Sequence, residues 1–311
     1  MTMRIGMTGA TGMIGTKLVP MLLESGHRLL AVSRRPKSSS NDQLTWLAGD
    51  PTQAGDWLDE LAGCDAVIHL AGENLFAKRW SPTFKQQCWD SRVQSTRLIA
   101  EAMAKLPRCA DGKAKTFICG SAIGYYPTDP EAEFTEDSAP GNGWLNQLSL
   151  AWEGAAGAAQ DAGVRVAKIR TGIVLDPAGG ALQKFLFPFQ MFVGGPLGSG
   201  KQWMSWIHLG DLCRMVQWLL DHPELSGVWN GVAPHPVRNR DFCKTLGRVM
   251  KRPSWLPAPR WALRIVLGEV VQVVCDSQKV LPERVLQSGF QYAFPELEPA
   301  LRDLLIVKNP L

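Results

Sequence analysis

Short apolar runs alternate with stretches of helical periodicity through the first 170 residues. Residues 4–7 (RIGM) read as a strand, followed by a glycine turn and a helix over about 12–25. Pro20 lies inside that helix and predicts a kink, and Gly26 is placed to end it. Further strands are predicted at 28–33 (RLLAVS), 44–47, 65–70 (DAVIHL), 115–119 (KTFIC) and 164–169 (VRVAKI). Long helices are predicted at about 83–105 and 144–162. Strand-length apolar runs alternating with helices predict the α/β class, a doubly wound parallel sheet of Rossmann type. After Arg170 the rhythm changes. Loops rich in Gly and Pro at 176–180 and 194–200 precede a helix at about 211–221 and a strand at 228–232. Asn239 is positioned to cap a helix reaching about Met250, residues 252–259 read as a linker, and the rest as short helices. The pattern divides the chain into a sheet domain over 1–235, with a lobe insertion at about 176–206, and a C-terminal lobe over 236–311.

Composition narrows the function classes. The 311 residues are 45% apolar and 20% charged, with 33 Lys+Arg against 29 Asp+Glu and a net charge of +4. That excludes general disorder, and with no long basic run it gives no support to a nucleic-acid surface. No stretch of roughly 18 apolar residues suggests a transmembrane helix. The N-terminus lacks the apolar core of a signal peptide, so a cytoplasmic protein with no membrane partner is expected. Seven scattered cysteines without a C-x-x-C read as reduced thiols, and the five histidines show no metal-ligand spacing, so no metal site is expected. There are 12 Trp but only 3 Tyr.

The segment Thr8-Gly9-Ala10-Thr11-Gly12-Met13-Ile14-Gly15 carries the most chemistry. It follows a strand and opens a helix, as a dinucleotide-binding loop must. Gly9 suits a sharp turn, Gly12 a close approach to pyrophosphate, and Gly15 tight packing of the helix. The alternative is a structural glycine turn. The second strand ends in Ser33, Arg34 and Arg35 without an acid. A carboxylate there would hold a ribose 2′-OH, whereas a guanidinium binds a 2′-phosphate through paired charge-assisted hydrogen bonds. NADP(H) is therefore expected over NAD(H).

With these residues in view, the chain resembles the short-chain dehydrogenase/reductase superfamily. The resemblance is to its extended and atypical branch, the NAD-dependent epimerase/dehydratase type, and within that to bacterial epimerase-family proteins of the YfcH kind. It rests on TGATGMIG (8–15), SRRP (33–36), HLAGEN (69–74), SRVQST (91–96), GSAIGYY (120–126), RTGIVL (170–175) and GGPLGSGKQWMSWIH (194–208), in that order. The resemblance implies that Leu70, Ala71 and Gly72, with Glu73 beyond them, follow the fourth strand beside the cofactor. Asp50 matches the acidic position that faces the adenine. Arg92 replaces an asparagine in the long helix, bringing a cation toward the cofactor phosphates or a bound acid, and Gln87 about one turn earlier could reach the same cleft. Gly120 and Ser121 match the strand end with the catalytic serine, and Thr171, Gly172, Ile173 and Val174 the loop against the nicotinamide. It also implies that two copies could pair as a homodimer.

One departure matters. The superfamily's Y-x-x-x-K pair should fall in 143–149 (GWLNQLS), which holds neither residue. Tyr125 and Tyr126, just past Ser121, could supply a phenol from another direction, or their rings could simply pack the sheet edge. His208 and Asp211 could form a pair in which Asp211 caps the following helix, and Trp80, Trp144, Trp203 and Trp206 could rim a pocket or cover a junction. Two functions stand at this point. One is an NADP(H)-dependent oxidoreductase or epimerase on a small molecule, with Ser121 polarising the reacting group. The other is a non-catalytic NADP(H)-binding regulator or redox sensor.

Overall fold

The computed structural model describes residues 2–307; Met1 and the end of the predicted lobe, 308–311, lie outside the described residues. A seven-stranded sheet is built from β1 (Arg4–Thr8), β2 (Arg28–Ser33), β3 (Leu44–Ala48), β4 (Ala66–His69), β5 (Thr116–Ala122), β6 (Arg165–Thr171) and β7 (Gly227–Gly231). Its spatial order is β7-β6-β5-β4-β1-β2-β3, with every neighbouring pair parallel. The order reverses between β1 and β4, and a crevice opens beyond their carboxyl ends.

Both faces of the sheet are covered, which is why its strands are apolar throughout rather than alternating. On one face Leu18 and Leu22 of the helix Met13–Glu24 and Leu212, Val216 and Leu219 of Leu209–Asp221 pack with Ile5, Met7 and Ile68. On the other, Leu61, Ile99, Met103 and Ala159 pack with Val67, Phe117 and Val166. A further core joins Leu182, Phe185 and Phe189 to Trp206, Phe242, Leu246, Leu297 and Leu301. It draws on the chain on both sides of β7, so the residues after Arg170 fold back together beside the sheet's carboxyl edge.

Several predicted elements change shape. The first helix runs through Pro20, which lies exposed, without a break in the assignment. It ends as foreseen, with Gly26 at φ +83°. His27 N–H donates to Leu22 O and Gly26 N–H to Leu23 O, the crossed bonds of a Schellman stop. The helix predicted at 83–105 is Pro82–Trp89 and Ser95–Lys105 joined by a π-helical turn, Asp90–Gln94. The helix predicted at 144–162 is interrupted after Gly154 and resumes at Gly157. Asn239 does not cap its helix: its side-chain oxygen accepts from Leu197 N–H, tying down the glycine loop before it. Asp211 is not a cap either. His208 Nδ1 accepts from Gly210 N–H, while the fully buried Asp211 carboxylate accepts from Ala293 and Phe294 N–H.

Candidate active site

The glycine loop is shaped by the reversal in strand order. Thr8 is in register with His69, so Gly9 and Leu70 leave the sheet side by side. A β-carbon on Gly9 would come within 2.7 Å of the Leu70 carbonyl carbon, and its φ of +78° also demands glycine. A β-carbon on Gly15 would lie 2.2 Å from Gly9 O, so Gly15 lets the first helical turn sit against the loop itself. Gly12 differs: above it a β-carbon would touch only Gly9 O, at 3.3 Å. It is the N-cap, with extended backbone and no side-chain cap, and the N–H groups of Met13, Ile14 and Gly15 have no acceptor among the described residues. Gly12 and Met13, at the positive end of the helix dipole, line a cavity of ≈ 390 Å³. Asp176 and Ala178 of the turn after Ile173–Asp176 form its far wall, and Gly179 and Gly180 pass close to Met13 Sδ.

At the end of β2, Ser33 Oγ closes a turn with Arg35. Arg34 and Arg35 are exposed, and neither guanidinium has a partner among the described residues. Asp50 accepts from both the N–H and the hydroxyl of Thr52. Arg92 stands on the π-helical turn, where the extra residue per turn swings it toward the loop after β4. Its guanidinium donates to Glu73 O and Cys88 O, lies against Gly72 and faces the Trp152 ring at 5.3 Å. Arg92 thus clamps the Leu70–Glu73 segment. Gln87 is exposed on the preceding helix. Beneath, His69 is buried between Thr8 Oγ1 and Ser95 Oγ, and burial, reinforced by the Arg92 charge, pushes its pKa down to about 3.

The carboxyl ends of β5 and β6 carry a different kind of chemistry. Ser121 Oγ donates to Glu153 at 2.7 Å. Glu153 also accepts two bonds from Arg170, at 2.7 and 2.9 Å, an ion pair shielded from water on both sides. Arg170 donates further to the Tyr126 hydroxyl, which donates to Asn230, whose N–H reaches Glu136. Burial works against the Arg170 charge, but Glu153 more than offsets it and its pKa stands above the ordinary value. Burial pushes the Tyr126 phenol up to about 12. Tyr125 is arranged otherwise. Its ring lies 3.4 Å from the Arg170 guanidinium, and its hydroxyl has no partner among the described residues yet is not shut away from solvent. Glu136, Arg170 and Asn230 were not singled out from sequence. The one signal was charge inside otherwise apolar strands, as in VAKIR.

The stretch that lacks Tyr and Lys begins the helix Trp144–Gly154, with Leu145 and Ser149 facing Gly124. The Trp144 and Trp80 rings meet at 4.8 Å, and Val270 and Val273 close over them. Lys85 lies over both rings and pairs with Glu269 at 2.6 Å, while Arg79 donates to the Ile265 and Val266 carbonyls. Trp206 is fully buried in the second core rather than at a rim. Gly120 passes under Trp152, where a β-carbon would come within 3.0 Å. Thr171 and Ile173 are half-buried, Val174 is buried, and Gly172 is required because Ser205 O would lie 2.4 Å from its β-carbon.

Comparison with known proteins agrees with this geometry. The family described as "NAD dependent epimerase/dehydratase family" matches residues 5–172, and a domain of unknown function matches 258–304. The chain is 36% identical over 312 residues to the human epimerase family protein SDR39U1, covering 97% of this chain and all of that one. It is 39% identical over 307 residues to the chloroplastic SDR39U1 homologue of Arabidopsis thaliana, covering 97% and 87%. A crystal structure of human SDR39U1 isoform 2 with NADPH superposes with a TM-score of 0.86 over 97% of this chain and 99% of that chain, at 36% identity. Fold, glycine loop and sequence agree, and the chain belongs to the NAD-dependent epimerase/dehydratase family.

Proposed function

We propose that the protein binds NADP(H) and works as an oxidoreductase or epimerase on a small molecule. The uncapped helix start at Gly12 and Met13, which lines the cavity, carries this reading. The residues present fit the cofactor. Gly12 leaves room for a pyrophosphate, Arg34 and Arg35 are uncommitted cations, and no acid at the end of β2 would repel a 2′-phosphate. The human relative at 36% identity was crystallised with NADPH. Bound NADP(H) would supply or take up a hydride at its nicotinamide ring.

The chain's own part is to hold the cofactor and move a proton. Ser121 has given its hydroxyl hydrogen to Glu153, so its lone pairs are what it offers a substrate. The Tyr126 hydroxyl is engaged with Asn230 and Arg170. That leaves Tyr125 as the phenol with an uncommitted hydroxyl at this strand end, and we assign it the proton transfer. The ring's nearest full positive charge is Arg170, where relatives with the Y-x-x-x-K pair use a lysine. Ser121, which can only accept, would hold a donor group of the substrate beside the reacting oxygen.

The test loads the protein with NADPH deuterated at the nicotinamide C4 in each stereochemistry and adds a metabolite extract. Mass spectrometry then follows label into product. Enzyme-dependent label is expected with the native chain, and the Tyr125→Phe variant should transfer it about 10²–10⁴-fold more slowly while binding NADPH equally well. Unchanged transfer by that variant removes Tyr125 from the mechanism. No transfer by the native chain, with binding confirmed, favours the sensor reading, which requires NADPH and NADP⁺ to bind with different affinities.

A further inference from the structure

Nine of the thirteen large apolar side chains exposed among the described residues fall in two stretches. Phe187 lies on the helix Gly180–Gln190 and Met191, Phe192 and Val193 follow it; Trp255 and Leu256 precede the helix Arg260–Leu267, which carries Trp261, Ile265 and Val266. Phe187 is 67% exposed, Trp255 64% and Val266 72%. The two stretches meet where residues 192–196 run beside 255–258. Trp255 and Leu256 N–H donate to Gly194 O, Ala258 N–H to Pro196 O, and the Trp255 indole N–H to Phe192 O. Phe192 is held outward in a left-handed conformation, φ +63°, which a bulky residue rarely adopts. Large apolar side chains exposed this close together, as Phe192 and Trp255 are, commonly mark an interaction surface.

Charge says what covers it. No Asp or Glu occurs from 177 to 210 or from 242 to 268, whereas Lys184, Lys201, Lys244, Arg248, Lys251, Arg252, Arg260 and Arg264 do. Arg248 and Arg260 are paired with Glu298 and Asp276. Lys251, Arg252 and Arg264 have no acidic partner among the described residues, and Arg252 lies over the Phe192 ring at 4.5 Å. A second copy seated on this face would set cation against cation, because a two-fold interface pairs a patch with itself. Exposed Trp and Phe interleaved with unpaired Lys and Arg instead suit the headgroup layer of an anionic bilayer. Among the described residues no helix is long and apolar enough to cross a membrane, and docking from one side needs none.

We propose that the surface around Phe187, Phe192, Trp255 and Trp261 docks the protein peripherally on anionic membranes. The full chain is floated with vesicles of phosphatidylcholine alone and of phosphatidylcholine mixed with phosphatidylglycerol. Binding is expected only to the anionic vesicles and should weaken with added salt. Phe187→Glu/Trp255→Glu should lose it at least ~10-fold, and Lys251→Glu/Arg264→Glu roughly five-fold or more per charge. Circular dichroism and NADPH titration verify that each variant is folded, and the charge variants test the idea even if the apolar pair fails to fold. No flotation with anionic vesicles, or equal flotation of folded variants, overturns the proposal. So does a dimer dispersed by Trp255→Glu, which would assign the face to a second copy, or lipid-independent capture of an acidic protein.

Discussion

The crevice has two halves that treat polar groups in opposite ways. At the start of the first helix, the donors of Met13, Ile14 and Gly15 and the cations of Arg34 and Arg35 have no partner among the described residues. At the ends of β5 and β6, Ser121, Glu153, Arg170, Tyr126, Asn230 and Glu136 satisfy one another out of water. Burying an unmet polar group is costly, so open donors persist where solvent or a ligand meets them, and buried ones are paired. The contrast leaves the first half open to a ligand and ties most of the second into a scaffold, in which the Tyr125 hydroxyl has no partner among the described residues.

Breaking the scaffold should have the largest effect. Glu153→Ala strands the buried Arg170 charge and should cost about 3–5 kcal/mol of stability in denaturant unfolding. A loss under about 1 kcal/mol would mean the pair is wetter than its burial indicates. On the open side, Arg34→Ala should leave stability unchanged. It should weaken NADPH binding by roughly 10–100-fold, as expected for a lost charge-assisted phosphate bond, and NADH binding far less. Equal loss for both would remove the 2′-phosphate assignment.

The floor between the two halves predicts a pH dependence. His69 folds neutral, with a pKa of about 3 against an ordinary 6.5. As pH falls below 6.5 the unfolded chain takes up this proton first. The contribution is therefore complete above that pH and is lost on acidification toward 3, by up to ~1.4 kcal/mol per pH unit. Melting curves of His69→Gln should lack that slope. The smallest change is Tyr126→Phe, which leaves one Arg170 N–H and the Asn230 oxygen short of a partner. It should cost about 1–3 kcal/mol. Set beside Tyr125→Phe, with little loss of stability, it separates the structural phenol from the proposed acid by comparing melting with hydride transfer.

Much of the cofactor half was legible in the chain. Its determinants are local: a strand, three glycines at fixed spacing, a helix start and the residues ending the next strand. Even there, only the structure showed that Gly9 is needed because Leu70 leaves the sheet beside it, a meeting across about 60 residues of chain. The scaffold half was hardly legible. Glu136, Glu153, Arg170 and Asn230 are far apart in sequence, and nothing local tells a charged side chain at a strand end that meets water from one that meets another charge.

The sequence by itself determined the alternation of strands and helices, the glycine cradle, the absence of an acid after β2 and the loss of the Y-x-x-x-K pair, because periodicity and short-range spacing encode these. Tertiary structure decided the rest. It put a π-helical turn under Arg92, so that this cation clamps the Gly72–Glu73 backbone, and it engaged Tyr126 while leaving Tyr125 open. It also reversed the expected roles of His208 and Asp211. The physical reason is common to all of these: a polar side chain's role is set by whichever partner or solvent it meets after folding, and its neighbours in sequence do not name that partner.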